Sequence, residues 1–223
     1  MKIKITPKSL SQQTAPTVIS PFLGVRVPNR PLRILDFDVE ARPLHWISGD
    51  YVSKEITAIA WAWIRPNPVV SCYLLGESTA HDMLAAFVAA YKQADLVTGH
   101  YIRGYDLPMV NGALSEYGLP ILDDKMVQDT KIDLVRRAGL SGSQENLGAM
   151  LGLHHPKIKM DQTKWRNANR LTPEGVALAR ERVVGDVLQH IEMRQRLLDL
   201  GYLCPPTLWS SGNPHQPEAA YAP

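Results

Sequence analysis

Residues 32–40 read Leu-Arg-Ile-Leu-Asp-Phe-Asp-Val-Glu. Apolar side chains at Leu32, Ile34, Leu35, Phe37 and Val39 predict a buried strand over residues 32–39. Asp36, Asp38 and Glu40 alternate along it, and the strand period of two puts all three carboxylates on one face. Like charges so close repel unless solvent or a cation neutralises them. Oxygen ligands without His or Cys suit magnesium or manganese. The bland alternative is an edge strand guarded by charge.

Working outward, residues 55–64 and 69–75 read as two further strands, making an antiparallel meander with the first. Residues 81–92 have helical spacing, with Thr79 as cap. A short strand follows at 95–98 and a helix at 107–117. Residues 127–135 begin as a strand edge and turn helical. A short helix covers 144–151, and 154–170 reads as a polar loop. Thr172 and Pro173 open a long helix that ends at Gly201. Strands first, then alternating helix and strand, then a closing helix, make an α/β domain with a mixed sheet.

The chain has 223 residues, 45% of them hydrophobic, which suits one folded body with tails. Its 24 basic and 22 acidic residues give a formal charge of +2. Residues 1–30 hold five basic residues and no acidic one, leaving 19 basic against 22 acidic in the rest. Ten of the 17 prolines lie in residues 1–31 or 205–223. The expected organisation is a basic tail over 1–30, a folded domain over 31–204 and a Pro-rich tail over 205–223. Two cysteines, Cys72 and Cys204, exclude a disulfide framework and a four-cysteine zinc cage. No apolar run reaches membrane-span length, and an intracellular, cytoplasmic setting is expected.

Two more acidic positions stand out. Asp106 opens a helix in Gly104-Tyr105-Asp106-Leu107-Pro108, where capping is the simple explanation. Asp186 lies mid-helix among Val183, Val184, Val187 and Leu188, with Arg182 and His190 one turn to either side. A surface Arg182–Asp186 pair would stabilise by only a few tenths of a kcal/mol.

Taken together, the three patches resemble the DEDD superfamily of 3′–5′ exonucleases, and most nearly the proofreading domain of family B DNA polymerases. ILDFDVE resembles the first motif of that family, DLVTGHYIRGYDLPMV the second and ERVVGDVLQHIEMRQRLLDLG the third. The segments EITAIAWAW, QDTKIDLVRRAG and QENLGAMLGL resemble its intervening elements. The likeness covers roughly residues 32–200, and GYDLP is its most specific piece. By resemblance, Asp38, Glu40, Asp106 and Asp186 are the catalytic and metal-ligating carboxylates, and Asp36 is a neighbour. The resemblance implies a ribonuclease H-like fold, a five-stranded mixed sheet with helices on both faces. It implies metal-dependent hydrolysis of single-stranded DNA 3′ ends with two Mg2+ or Mn2+ ions. RNA is the alternative substrate. A DNA polymerase or other replication protein is the expected partner, and a bacterium or bacterial virus the expected setting. The chain has no room for a polymerase domain, which suggests a free-standing nuclease or a subunit.

The match departs at Tyr101, where the family often has Asn, at Ala41, where it has Thr, and most sharply in the third motif. The family carries a Tyr four residues before the last aspartate or a His five before it. Here Arg182 and Glu181 stand there, and an Arg does not deprotonate water at neutral pH. A nuclease-like DNA-binding protein with decayed chemistry is therefore the second reading. For substrate contacts, the loop 154–170 offers Lys157, Lys159, Lys164, Arg166 and Arg170 around Trp165, against one acid, Asp161. Basic side chains for phosphates and an aromatic for stacking suit a single strand. Tyr101, Lys164, Trp165, Arg166 and Arg182 are the expected substrate-binding residues.

Overall fold

The computed structural model describes residues 30–44, 52–135, 139–155 and 157–212. The central strand is β1, Ile34–Pro43. It pairs antiparallel with β2 (Lys54–Trp63), which pairs antiparallel with β3 (Val70–Leu74), so the meander stands. On its other side β1 runs parallel to β4 (Leu96–Gly99), and β4 runs parallel to β5 (Lys125–Asp129). A sixth strand, β6 (Thr207–Trp209), adds antiparallel to β5. The order is β3-β2-β1-β4-β5-β6, a mixed six-stranded sheet where five strands were expected. The additional strand lies in the segment read as a Pro-rich tail. There Trp209 packs against the main core and Thr207 accepts a hydrogen bond from Arg103, contacts that proline content does not reveal.

The pleat of β1 sorts its side chains. Leu35, Phe37 and Val39 face one way, joining Ile59 and Trp61 of β2. Against them pack Met83, Leu84 and Phe87 of α1 (Ala80–Gln93) and Leu107 and Val110 of α2 (Asp106–Glu116). Thr79 caps α1 by accepting the Asp82 N–H at 3.0 Å. The opposite face of β1 carries Asp36, Asp38 and Glu40, each beside an alanine of β2: Ala62, Ala60 and Ala58. That alanine row is low enough to seat Ala179, Val183 and Val187 of the long helix α5 (Pro173–Asp199). Lower on α5, Met193 and Leu197 pack with Leu134 and with Leu147 of α3 (Gln144–Leu151).

Two expectations change. Residues 130–135 do not turn helical. The Asp129 carboxylate takes the N–H groups of Lys131 and Ile132, at 3.0 and 3.1 Å, which holds the backbone in a turn. Within 154–170, residues Gln162–Asn169 form a helix, α4. Asp161 caps it, accepting from Lys164 N–H at 2.8 Å. Only Ala168 of α4 is buried, so no apolar period announces it. No described helix is long and apolar enough to cross a membrane.

The junction of α4 and α5 depends on Gly175. A Cβ there would lie 2.2 Å from the Asn167 carbonyl oxygen, which is backbone and cannot swing aside. Gly175→Ala is expected to cost ~3 kcal/mol, at the upper end for overpacking. Urea unfolding of the two proteins measures this, and equal midpoints would contradict it.

Candidate metal centre

The strand that buries Leu35, Phe37 and Val39 must turn its alternate side chains toward α5. Asp38 and Glu40 therefore face the helix turn that carries Asp186. One carboxylate oxygen from each of Asp38, Glu40 and Asp186 lies within 4.8 Å of the others. Asp38 and Glu40 are partly exposed, and Asp186 is buried.

Asp106 joins from a third element. It occupies the first position of α2, but it does not serve as the simple cap. Its Oδ1 accepts the Val39 N–H at 3.2 Å. The β1–β4 pairing stops at Asp36 and Thr98, so the edge of β1 beyond it needs acceptors from elsewhere. Asp106 supplies one and is thereby anchored between Asp38 and Glu40 on the strand. The close approach also explains Gly99, whose Cβ would lie 2.8 Å from the Phe37 carbonyl oxygen.

The loop before Asp106 is set by Asp129, which sequence reasoning missed. The Asp129 carboxylate accepts from Tyr101 N–H at 2.9 Å and Arg103 N–H at 3.0 Å, as well as the two turn N–H groups. Tyr101 stands at φ 69°, a left-handed conformation that these contacts hold in place. Arg103 bonds Asp133 at 2.7 Å, and both the Val127 carbonyl and Thr207 at 2.6 Å. The spacing of Asp129 and Asp133 was the available signal, but two acids four apart are common on any chain.

Two bases enter the acidic cluster. Arg182 Nε donates to Glu40, and its Nη2 is 3.6 Å from Asp186. Its Nη1 donates to the Ile158 carbonyl at 2.7 Å. Lys157 Nζ lies 3.4 Å from Asp186. The Arg182–Asp186 pair is therefore no surface bridge: Arg182 is 12% exposed and Asp186 2%. Lys157 was read only as part of a basic loop, because nothing in its neighbours marks an inward direction.

Four carboxylates against two bases leave an excess of negative charge. Burial pushes the Asp38 carboxyl well up, and Asp106, Asp186 and Glu40 add to this while Lys157 opposes it. Burial raises Glu40 too, offset by Arg182. Burial pushes Asp106 up to about 7, against the lowering effect of backbone N–H bonds. Among the described residues, the buried Asp186 Oδ1 has no hydrogen-bond partner, and no hydrogen bond reaches the Asp38 carboxyl. Uncommitted oxygen donors of high negative charge fit a small hard cation.

Asp36 takes another part. Fully buried, it bonds His190 Nδ1. His190 Nε2 meets Thr130 Oγ1 at 2.8 Å, which meets His100 Nδ1 at 3.0 Å. His100 Nε2 meets the Gly142 carbonyl at 3.0 Å. A carbonyl only accepts, so His100 Nε2 donates. In a neutral ring Nδ1 then accepts from Thr130, and Thr130 accepts from His190. Burial lowers His100 to about 4, in keeping with that neutral form. The chain of bonds ties β1, the loop after β4, the turn after β5, and α5 together. Every ring nitrogen of both histidines is engaged.

The expected substrate residues divide. Lys164, Trp165 and Arg166 sit on α4, and Trp165 lies under the Arg182 guanidinium, 5.2 Å from its ring centre. A hollow of about 430 Å3 lined by Lys157, Trp165 and Arg182 opens beside the carboxylates. Tyr101 lines a different hollow with Lys131 and Ile132, and Lys131 Nζ lies 3.9 Å over its ring. Arg182 points into the acidic cluster.

No protein-family model and no curated protein sequence matches the chain. Among solved structures the fold has a counterpart. The chain is similar to part of the family B DNA polymerase from the hyperthermophilic archaeon Pyrobaculum calidifontis. The TM-score is 0.58 at 16% identity, over 76% of this chain and 25% of the polymerase chain. The chain thus spans about a quarter of the polymerase it resembles, and the likeness is one of fold.

The raised Asp106 carboxyl has a consequence for stability. Its folded value of about 7 exceeds the ordinary carboxylate value near 4, so the folded protein holds a proton that the unfolded chain releases. The stabilisation from this group is full in acid and is lost as pH rises from about 4 through about 7. Without divalent ions, the melting temperature of the wild type should fall more between pH 5 and pH 8 than that of Asp106→Asn. Parallel pH profiles for the two proteins would contradict this.

Proposed function

We propose that the protein is a metal-dependent 3′–5′ exonuclease that hydrolyses phosphodiester bonds at single-stranded DNA 3′ ends. Its sheet would be ribonuclease H-like, with β6 as an addition. Its setting would be intracellular, in replication, proofreading or repair beside a polymerase or other replication protein. The observation that carries the reading is the meeting of Asp38, Glu40 and Asp186 oxygens within 4.8 Å. These side chains come from a strand and a helix far apart in sequence, and Asp106 is anchored to the same strand. Supporting it are the order of the three motifs and the fold shared with a DNA polymerase. RNA is the alternative substrate, and the choice turns on contacts to the 2′-hydroxyl.

Asp38, Glu40 and Asp186 would hold one ion, and Asp38 with Asp106 a second. Two bound divalent ions, Mg2+ or Mn2+, would supply an activated water and charge stabilisation at the leaving oxygen. The chain's own residues set the conditions. Asp38 offers a carboxyl free of hydrogen bonds among the described residues, Lys157 and Arg182 limit the repulsion among the acids, and Trp165 walls the adjoining hollow. Glu181 is exposed, and His100 and His190 are committed elsewhere. Activity is therefore expected to lack the roughly 10²–10⁴-fold that a side-chain acid or base supplies.

The same ion pairs favour the second reading, a DNA-binding protein with weak or no hydrolysis. Arg182 engages two of the three clustered carboxylates and so competes with a metal for them.

Incubation with a 5′-labelled single strand and magnesium or manganese separates the two. The exonuclease gives a ladder of 3′-shortened products that disappears in Asp38→Ala and in Asp186→Ala. Binding without shortening, indifferent to chelator, supports the second reading. Arg182→Tyr removes the competing cation and leaves the cluster one charge more negative. It is expected to bind Mn2+ at least tenfold more tightly by calorimetry and to keep or raise the rate. Complete loss of shortening with folding intact would assign Arg182 a catalytic duty of its own.

A further inference from the structure

Trp165 walls two hollows. One adjoins Lys157 and Arg182 beside the carboxylates. The other, of about 530 Å3, is lined by Arg42, Pro43, Leu44, Trp165, Arg166 and Arg170. Neither the site residues nor the fold requires this second hollow.

Its chemistry is specific. Arg42 lies two residues beyond Glu40 on β1, past a register shift in the pairing with β2 between Glu40 and Ala41. Its Nε bonds Glu55 at 2.5 Å and its Nη1 donates to the Asn169 carbonyl at 2.7 Å. These contacts fix the guanidinium against the end of α4, and among the described residues Nη2 has no partner. Arg166 and Arg170 are four residues apart, at the last turn and C-cap of α4, on one stripe. Both are exposed, and among the described residues neither forms an ion pair. Among the described residues, no acidic side chain lines the hollow. Guanidinium groups with an aromatic wall, Pro43 and Leu44 match one unit of a strand: an anionic phosphate and a flat, apolar base face.

We propose that this hollow is a binding subsite for a nucleotide of single-stranded DNA, lying on the far side of Trp165 from the acidic centre. Trp165 stacks a base, and Arg166 and Arg170 neutralise two phosphates, with Arg42 as the fixed floor. The inference rests on the exonuclease reading for its direction. With the 3′ end at the carboxylates, the subsite takes a nucleotide on the 5′ side of the cleaved one. Affinity for the strand is then supplied away from the reacting bond.

Binding without catalysis tests it. Anisotropy of 5′-fluorescein oligothymidylate is followed in chelator, from 50 to 200 mM salt. Arg166→Ala/Arg170→Ala should weaken binding at least tenfold. It should lower the slope of log affinity against log salt by roughly 1.4, the value for two single-strand phosphate contacts. Trp165→Ala should weaken oligothymidylate about tenfold, within the stacking range, yet leave a strand of abasic residues unaffected. The double variant alters only exposed side chains and should melt with the wild type, so loss of binding is not loss of fold. Wild-type affinity and slope in the double variant would overturn the subsite while leaving the exonuclease reading intact. A wild-type protein that binds no strand at 50 mM salt would overturn both.

Discussion

The pleat of one central strand governs this molecule. A strand cannot bury Leu35, Phe37 and Val39 against α1 and α2 without presenting Asp36, Asp38 and Glu40 to the other side. What makes that presentation tolerable is the partner face: the alanines of β2 let α5 come close, and α5 brings Arg182, Asp186 and His190. Each carboxylate of β1 then meets a different answer. Asp36 is tied to His190, Glu40 to Arg182, and Asp38, between them, has no hydrogen bond among the described residues. A group of acids that would be unfavourable as a block is thus divided, and Asp38 sits where Asp106, Asp186 and Glu40 all act on it.

Much of this was legible from residue order. Alternation along β1, the helical spacing of α1 and the Thr79 and Thr172 starts are local signals, and local signals survive without coordinates. The convergence of Asp38, Glu40 and Asp186 was legible only because three separated patches resembled one family in order and spacing. What escaped has a common cause. Helix α4 buries one alanine, so its sequence carries no period. Strand β6 is three residues long and owes its place to Trp209 and Thr207, whose partners lie some 80 to 100 positions earlier. Lys157 and Arg182 turn inward because the acids draw them, and a sequence shows charge but not direction.

The relay from Asp36 through His190, Thr130 and His100 to Gly142 illustrates how a fold can absorb residues that look chemical. Two histidines near acidic motifs invite a role in proton transfer. Here their nitrogens span four elements and keep α5 in register with β1, so their contribution to the site is the position of Asp186 relative to Asp38.

Arg103 gives the short β6 strand an unexpected reach. It grips Thr207, the Val127 carbonyl and Asp133 at once, while its own N–H is held by Asp129, the residue that shapes the approach to Asp106. Strand β6 is therefore mechanically continuous with the helix start that faces β1. Trimming the chain after Cys204 would remove no acid from the centre, yet it would loosen one of the walls on which the centre is built.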